Sequence, residues 1–345
     1  MSIFRFVLEL NVCLVREKLI FFLQSAGSDK TEMDFFIAGT AATCAGFFSN
    51  PFDVIKTRQQ LQGELQKEVK AKNQLYRSGF TAIKTIIKSE GITGLQKGLA
   101  PALAFQFVMN STRLGMYETV DKLNWTRFSA SSHHSTVLCV FWGGVCGVVG
   151  SAIGCPLYMV KTQLQAQSSQ GQFAVGTQHG HTGMLNALTN IYRHQGIRGL
   201  WRGFEGIVSR TAVGSAIQLT SFTISKDYLN KIETFKHSTF LTPLAASLIS
   251  GIFLSIGMTP FDVVATRLFN QGVDQNGKGV LYRNIFDCFV KTYSIEGIHG
   301  LYKGFIANYC RCAPHTILSL TFWDLFKKWE NVYLSDDSFE YNNTN

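Results

Sequence analysis

Charged residues are scarce in this chain of 345 residues: only 16% are Asp, Glu, Lys or Arg, whereas 46% are apolar. The mean hydropathy of +0.09 is nevertheless too low for helices that are apolar on every side. Polar and charged groups are tolerated at membrane depth where they face protein or water, so any membrane helices must turn a polar face away from lipid. The composition therefore favours a membrane protein with an internal cavity.

The sequence also lacks the motifs of several function classes. Its net charge of +9 would suit nucleic acid, an anionic membrane or acidic substrates, but it has no RNP, helix-turn-helix or zinc-finger pattern. It has no G-x-S-x-G, P-loop, HExxH or G-x-G-x-x-G pattern either, which argues against an enzyme. The eight cysteines show no paired CxxC spacing. We therefore expect reduced, packed thiols, no metal site and no cofactor.

One motif occurs three times at nearly equal spacing. It reads PFDVIKTR from Pro51, PLYMVKTQ from Pro156 and PFDVVATR from Pro260. A second mark follows each copy: an acidic residue or glutamine before glycine, and then a basic residue before another glycine. Because the two marks keep the same register, they indicate three internal repeats.

Apolar segments flank each copy of the motif. Roughly 17 to 20 residues before each proline are mostly apolar, and a second apolar run begins at Leu99, Phe204 and Phe305. We therefore predict an all-α fold of six transmembrane helices in three tandem pseudo-threefold repeats, with short helices between them. The predicted boundaries are an N-terminal extension at 1–32, repeats at 33–123, 134–231 and 239–330, and a polar tail at 331–345.

The triplicated motif and its glycine marks resemble the mitochondrial carrier family over about residues 33–328. Three shorter segments are similar to a subgroup that includes members thirty-four and thirty-five of solute carrier family 25 and the fungal oxaloacetate carrier: Ala100–Leu103, Tyr158–Thr162 and Pro314–Leu320. The resemblance implies a monomeric, multi-pass transporter of the mitochondrial inner membrane, with short helices on the matrix side and no nucleic-acid partner. It also implies contacts with an anionic, cardiolipin-like lipid at three helix starts: Lys97-Gly98, Arg202-Gly203 and Lys303-Gly304.

The resemblance also implies a matrix gate, in which the acid of each motif meets the base of another repeat. The implied pairs are Asp53 with Lys161, Asp262 with Lys56, and the uncharged Tyr158 with Ala265. Losing one partner would leave an uncompensated buried charge at a cost of about 3–5 kcal/mol, whereas losing both leaves a neutral contact. We therefore expect two ion pairs in this gate instead of three.

The motif prolines are predicted to bend the helices that form this gate. Each proline deletes one backbone hydrogen bond, so we expect kinks at Pro51, Pro156 and Pro260 that bring the helix ends towards a shared axis. A second gate, on the cytoplasmic side, is implied by the resemblance and is more degraded. Its candidate residues are Glu118, Lys226, Asp324 and Lys327, with Glu118 and Lys226 as one clear pair.

The resemblance places substrate contacts seven residues after the glycine that precedes each second helix, and polar side chains recur in steps of four from there. The candidate substrate-binding residues are Phe105, Gln106, Arg113, Arg210, Thr211, Gln218, Arg311 and His315. Arginine at membrane depth is costly unless it faces water or a partner, so the three arginines should line a cavity. Two guanidinium groups on different helices suit a dianion such as oxaloacetate, malonate, malate or sulfate.

Three alternatives within the same fold stay open at this point. A nucleotide carrier would be expected to have glycine and an aliphatic residue at the second contact position, where this chain has Arg210 and Thr211. An amino-acid carrier should place an acid on one of the polar stripes, and none is present. Proton leak of the uncoupling type is the third alternative, and His315 is a residue that could link transport to protons.

Overall fold

The computed structural model describes residues 30–65, 75–76, 78–123, 125, 136–232, 241–274 and 277–343. Almost all of the predicted extension at 1–32 lies outside these residues. The described part contains nine α-helices, two short 3-10 helices and one isolated antiparallel bridge between Val273 and Gly279. The prediction of an all-α fold is confirmed.

Each repeat contributes three helices to the fold. In the first repeat these are α1 (Lys30–Leu61), α2 (Gly79–Glu90) and α3 (Leu99–Lys122). The second repeat has α4 (Thr136–Ala166), α5 (Met184–Leu200) and α6 (Phe204–Leu229), and the third has α7 (Leu241–Asn270), α8 (Ile285–Leu301) and α9 (Phe305–Asn343). The 3-10 helices are Ile92–Gln96 and Gly171–Phe173. Helix α9 continues through most of the predicted tail, which contains no glycine or proline to end it.

The long helices form a closed ring in the order α1, α3, α4, α6, α7, α9 and back to α1, because each packs against both neighbours in that order. The first helices of the repeats, α1, α4 and α7, also pack against one another. The second helices, α3, α6 and α9, make their main contacts with first helices. The ring therefore has the pseudo-threefold order expected from the repeats, with α1, α4 and α7 meeting inside it.

Glycine is required where α3 and α6 begin. Gly98 has φ +68° and Gly203 has φ +80°, a left-handed conformation that favours glycine. A Cβ at Gly98 would also lie 3.1 Å from the carbonyl oxygen of Lys161, and one at Gly203 would lie 3.1 Å from the ring of Phe269. Both second helices therefore start directly against the first helix of the next repeat, which fixes their register in the ring.

Two helices contain stretches long and apolar enough to cross a membrane by length and composition. Among the residues described, these are Phe141–Ala166 in α4 and Ala245–Asn270 in α7, with mean hydropathies of 1.6 and 1.7. The second helices carry polar and arginine side chains that lower their mean hydropathy. The six membrane spans therefore stay a prediction. The proline kinks also stay a prediction, because Pro51, Pro156 and Pro260 all lie inside continuous helices.

Candidate functional site

The ring of long helices encloses a cavity of 250 Å³ that reaches down to the residues where α1, α4 and α7 meet. All eight predicted substrate-binding residues line it: Phe105, Gln106, Arg113, Arg210, Thr211, Gln218, Arg311 and His315. The predicted gate residues Asp53, Lys56, Tyr158 and Lys161 line it as well. Sequence reasoning missed further polar residues of the wall, among them Asn110 and Ser215.

The cavity is strongly cationic. Five basic side chains line it: Lys56, Arg113, Lys161, Arg210 and Arg311. One carboxylate, that of Asp53, lines it too, and that of Asp262 contacts two of the basic groups from behind the wall. These groups leave three positive charges in excess. A site of this kind attracts anions, because low-dielectric walls strengthen the field of the uncompensated cations.

Asp53 holds two cations at the floor of the cavity. Its Oδ2 lies 2.7 Å from Nζ of Lys161, and its Oδ1 lies 3.2 Å from Nε of Arg311. The first contact joins α1 to α4, and the second joins α1 to α9. One predicted gate residue is thus ion-paired with one predicted substrate residue, an arrangement that the helix pattern alone did not indicate.

Asp262 is arranged in the same way and is more deeply buried. Its Oδ2 lies 2.5 Å from Nζ of Lys56, and its Oδ1 lies 2.5 Å from Nε of Arg210. Gln60, a residue that sequence reasoning missed, donates a hydrogen bond of 2.9 Å from Nε2 to the same carboxylate. A signal for this residue was present, because Gln60 and Gln165 both lie nine residues after their motif proline.

Aromatic rings occupy the third side of the gate, where Tyr158 and Ala265 replace a charged pair. The ring of Tyr158 lies edge-on to Phe105, with centroids 5.1 Å apart, and 5.3 Å from the ring of Phe269. All four residues belong to one buried apolar cluster. The guanidinium carbon of Arg210 lies 5.2 Å from the centre of the Tyr158 ring, and Nζ of Lys161 lies 5.7 Å from it.

The upper wall of the cavity carries a third arginine, Arg113. Arg113 makes no hydrogen bond or ion pair with any residue that the structure describes. Across the cavity, the side-chain amide of Gln106 lies 2.8 Å from Nε2 of His315, so these two predicted substrate residues contact each other. Arg311 donates a hydrogen bond of 3.4 Å from Nη2 to the thiol of its neighbour Cys312.

The structure describes the side chains of three of the four predicted cytoplasmic gate residues. Lys226 and Asp324 are exposed and pair with no described residue, and Lys327 lies over the ring of Trp323 at 5.8 Å. The side chain of Glu118 lies outside the described part, so its pairing with Lys226 stays a prediction.

At the opposite end, an arginine that is ion-paired within the first repeat donates hydrogen bonds to the second repeat. Arg58 contacts both carboxylate oxygens of Glu90 at 2.9 Å and also donates to the carbonyl oxygens of Gln165 and Gln167. Lys97 lies 2.7 Å from the same glutamate. Burial raises the pKa of Glu90, but hydrogen bonds from Arg58 and Lys97 outweigh it and hold the pKa below its ordinary value.

An equivalent link joins the third repeat to the first. Arg267 contacts the two oxygens of Glu296 at 2.7 and 2.9 Å, and it donates to the carbonyl oxygen of Gln60. Lys303 lies 2.6 Å from the same carboxylate. Burial again opposes ionisation, yet the hydrogen bond and charge of Arg267 lower the pKa of Glu296.

The corresponding link from the second repeat to the third has uncharged side chains where the other two links have an arginine and a glutamate. Gln163 replaces the arginine and donates to the carbonyl oxygen of Phe269, and Gln195 replaces the glutamate. His181 stacks on His179 with ring centroids 5.7 Å apart and an angle of 4° between the planes. Arg202 donates to Gln195 at 3.2 Å, and burial lowers its pKa to about 10.

Comparison with known proteins gives concordant matches along the chain. The family model described as mitochondrial carrier protein matches three times, at residues 28–127, 132–233 and 236–332. Solute carrier family 25 member 35 of Mus musculus is 46% identical over 301 residues, covering 87% of this chain and 99% of the relative. The mitochondrial oxaloacetate transport protein of Saccharomyces cerevisiae is 41% identical over 84% of this chain and 87% of its own. Mitochondrial citrate transporter E of Aspergillus niger is 35% identical over 87% of this chain and 96% of its own length.

Proposed function

This chain belongs to the mitochondrial carrier family, and we propose that it carries small dianions, oxaloacetate and related dicarboxylates, across the mitochondrial inner membrane. Members of this family are transporters and not enzymes. The observation that carries the proposal is the position of Arg210 and Arg311. They lie on different helices, α6 and α9, and line one small cationic cavity directly above a closed gate.

The free atoms of Arg210 suit a carboxylate. Its Nε is bonded to Asp262, whereas Nη1 and Nη2 have no hydrogen-bond partner among the described residues. Two parallel N–H groups match the two oxygens of a carboxylate, which gives a strong and directional contact. Arg311 offers a second guanidinium group across the cavity, so a solute with a carboxylate at each end can contact both.

The size and charge of the cavity support a small dianion in preference to a nucleotide. Its volume of 250 Å³ is below the roughly 300–1,000 Å³ typical of pockets for drug-sized ligands. A dianion neutralises two of the three positive charges in excess. A second substrate class, the tricarboxylates, is favoured by the guanidinium of Arg113, which has no ion-pair partner among the described residues. One relative is named as a citrate transporter.

Substrate binding and gate opening are connected through the two gate acids. A carboxylate bound to Arg210 competes with Asp262 for that guanidinium group, and one bound to Arg311 competes with Asp53. Each gate acid then keeps its lysine, Lys56 or Lys161, but loses its second cation. The gate is weakened only when substrate is present, which is the requirement for alternating access without a leak.

Transport by purified protein in liposomes tests this proposal. Labelled oxaloacetate, malate, malonate, citrate, sulfate, phosphate and ATP are offered outside, each against every unlabelled candidate inside. We expect uptake of dicarboxylates, accelerated by internal dicarboxylate, with tricarboxylates as the second class. Uptake of ATP alone would overturn the proposal, and a proton flux without anion uptake would favour the uncoupling alternative.

We also propose that the protein works as a monomer whose second helices begin against anionic, cardiolipin-like lipid. Beside the start of α6, a cavity of 1030 Å³ is lined by Arg202, Gly203, Lys278 and Arg283. Backbone N–H groups at a helix start favour phosphate. Because Lys97 and Lys303 are paired with glutamates, the start of α6 should bind lipid most strongly. Native mass spectrometry measures both the number of protein chains and the number of bound lipids. An Arg202→Gln protein that retains its lipid would contradict this assignment.

A further inference from the structure

Position 158 holds an aromatic ring where the repeated motif has an acid in its other two copies. The ring of Tyr158 is 5% exposed and lies between the gate and the cavity, which it helps to line. Two cationic groups, those of Arg210 and Lys161, lie against it. An uncharged ring in contact with two cations at the floor of an anion site is not explained by gate closure alone.

Arg210 is held from two directions by different chemistry. On its edge, Nε is bonded to Asp262, which fixes one nitrogen of the guanidinium group. On its face, the carbon of the guanidinium group lies 5.2 Å from the centre of the Tyr158 ring, within the range of a cation–π contact. Together these contacts fix both the position and the plane of the group, while the two Nη atoms stay available.

The Tyr158 ring is itself fixed. Phe105 meets it at an angle of 64°, and Phe269 lies against it at 59°. Both of these phenylalanines are buried, with exposed fractions of 4% and 0%. A close-packed ring of this kind has one rotamer available, so it can serve as a rigid support for a flexible arginine.

We propose that Tyr158 is a positioning residue for the substrate, which presents the Nη atoms of Arg210 to the carboxylate without adding a second acid beside Asp262. This inference rests on the proposed function. An aspartate at position 158, as in the other two motif copies, would hold the arginine by an ion pair and compete with the substrate for it. The ring holds the arginine through its negative face instead, so the bound anion has only Asp262 to compete with for Arg210.

Fluorination of the ring tests this role with little change in its shape. Tyr158→Phe is the reference, and the same position then receives phenylalanine with one, two or three fluorine atoms, which progressively weaken the negative face of the ring. We expect KM for a dicarboxylate to rise stepwise along the series, in total about two- to thirtyfold, the loss that corresponds to a cation–π contact. Phe289→Leu removes a ring that packs on Phe261 outside the cavity, and it should leave KM unchanged.

The melting temperature of each variant is recorded beside its KM. The comparison distinguishes a ring that supports Arg210 from a ring that only contributes to packing. A KM that stays constant along the series, with or without a falling melting temperature, would assign the ring to packing and overturn the inference. Failure of the wild-type protein to take up any dianion would instead overturn the proposed function. Tyr158→Leu, which removes the ring altogether, should raise KM at least as much as three fluorine atoms do, and an unchanged KM would also contradict the inference.

Discussion

The Nε of Arg210 lies 2.5 Å from Oδ1 of Asp262, so a cavity arginine is bonded directly to a gate carboxylate. Arg311 and Asp53 form a second ion pair between cavity and gate, at 3.2 Å and without a hydrogen bond. Each gate acid is shared between a lysine that closes the gate and an arginine that faces the solute. The site and the gate are therefore one connected charge network, and a change in one is expected to alter the other.

Removal of either cavity arginine should abolish most transport while the protein still folds. In Arg210→Ala, Asp262 keeps Lys56 and Gln60 as partners, so the loss falls mainly on the solute. A hydrogen bond to a charged group contributes about 1.5–3 kcal/mol, so dicarboxylate uptake should fall by at least about tenfold. The measurement is initial uptake into liposomes at equal amounts of inserted protein.

Two matched variants complete this test. Arg210→Lys keeps the charge but loses the planar fork, so it should recover only part of the uptake. Arg193→Ala removes an exposed arginine from α5 and should leave uptake unchanged. Full exchange activity in Arg210→Ala or Arg311→Ala would remove the assignment of these residues to the substrate.

Loss of Asp262 should destabilise the protein more than loss of Asp53. The side chain of Asp262 is 0% exposed and that of Asp53 is 10% exposed. Asp262→Asn leaves two buried cations without their acid, at a cost of about 3–5 kcal/mol, and partial hydration should reduce this cost for Asp53→Asn. Thermal unfolding in detergent compares the two variants, and the reverse order of melting temperatures would contradict the argument.

Gln60 should strengthen the closed gate although it carries no charge. Its Nε2 bonds Asp262 at 2.9 Å, and its Oε1 accepts a hydrogen bond of 2.8 Å from Thr266. Gln60→Ala removes both from a fully buried site, so we expect a loss of roughly 1–3 kcal/mol and a lower melting temperature. Gln59→Ala is the neighbouring control, because Gln59 bonds only a backbone oxygen. Equal effects of the two substitutions would argue against a role in the gate.

The stacked histidines, His179 and His181, should make the stability of the protein depend on pH. They act at a higher pH than that at which the carboxylates titrate. Burial lowers the pKa of His179 and of His181 below their ordinary value of 6.5. The folded protein therefore favours the neutral rings, and the stability they contribute is complete above pH 6.5 and falls as pH decreases below it. Glu90 and Glu296 have lowered pKa values, so the stability they contribute is complete above their ordinary value of 4.5 and is lost only as pH falls below it.

Melting temperatures recorded from about pH 7.5 to about pH 5.5 separate these two contributions. We expect the wild-type protein to lose stability across this interval and the double variant His179→Asn, His181→Gln to lose less. Glu90 and Glu296 are ionised throughout, so they do not contribute to the difference. Identical slopes for the two proteins would show that the histidine pair has no part in the pH dependence.

The repeat pattern was sufficient to predict the helices and the residues of the cavity wall. Periodicity and equal spacing place Arg113, Arg210 and Arg311 on stripes of three equivalent helices, and symmetry then directs them inwards. These features depend on local chain geometry repeated three times. They can therefore be read without knowing how the helices are arranged around one another.

Contacts between different repeats could not be predicted in the same way. The bond from Arg210 to Asp262 depends on the axial position of α6 relative to α7. The spacing of the motifs does not specify that position. The sequence indicated a neutral contact at Tyr158 and Ala265, but the insertion of Phe269 and Phe105 there depends on three helices at once. Phe105 was assigned to the substrate alone, although its ring also packs against Tyr158.

The uncharged junction at Gln163 has a consequence for how the bundle moves. At two junctions of the ring, an arginine held by a glutamate of its own repeat donates to a backbone carbonyl oxygen of the neighbouring repeat. At the junction of the second and third repeats the equivalent donor is the neutral amide of Gln163, and Arg202 adds a bond of 3.3 Å to the carbonyl oxygen of Gln271. Neutral hydrogen bonds are easier to break than charged ones. We expect the three repeats to separate unevenly, with α4 and α7 parting first and the other two junctions serving as hinges.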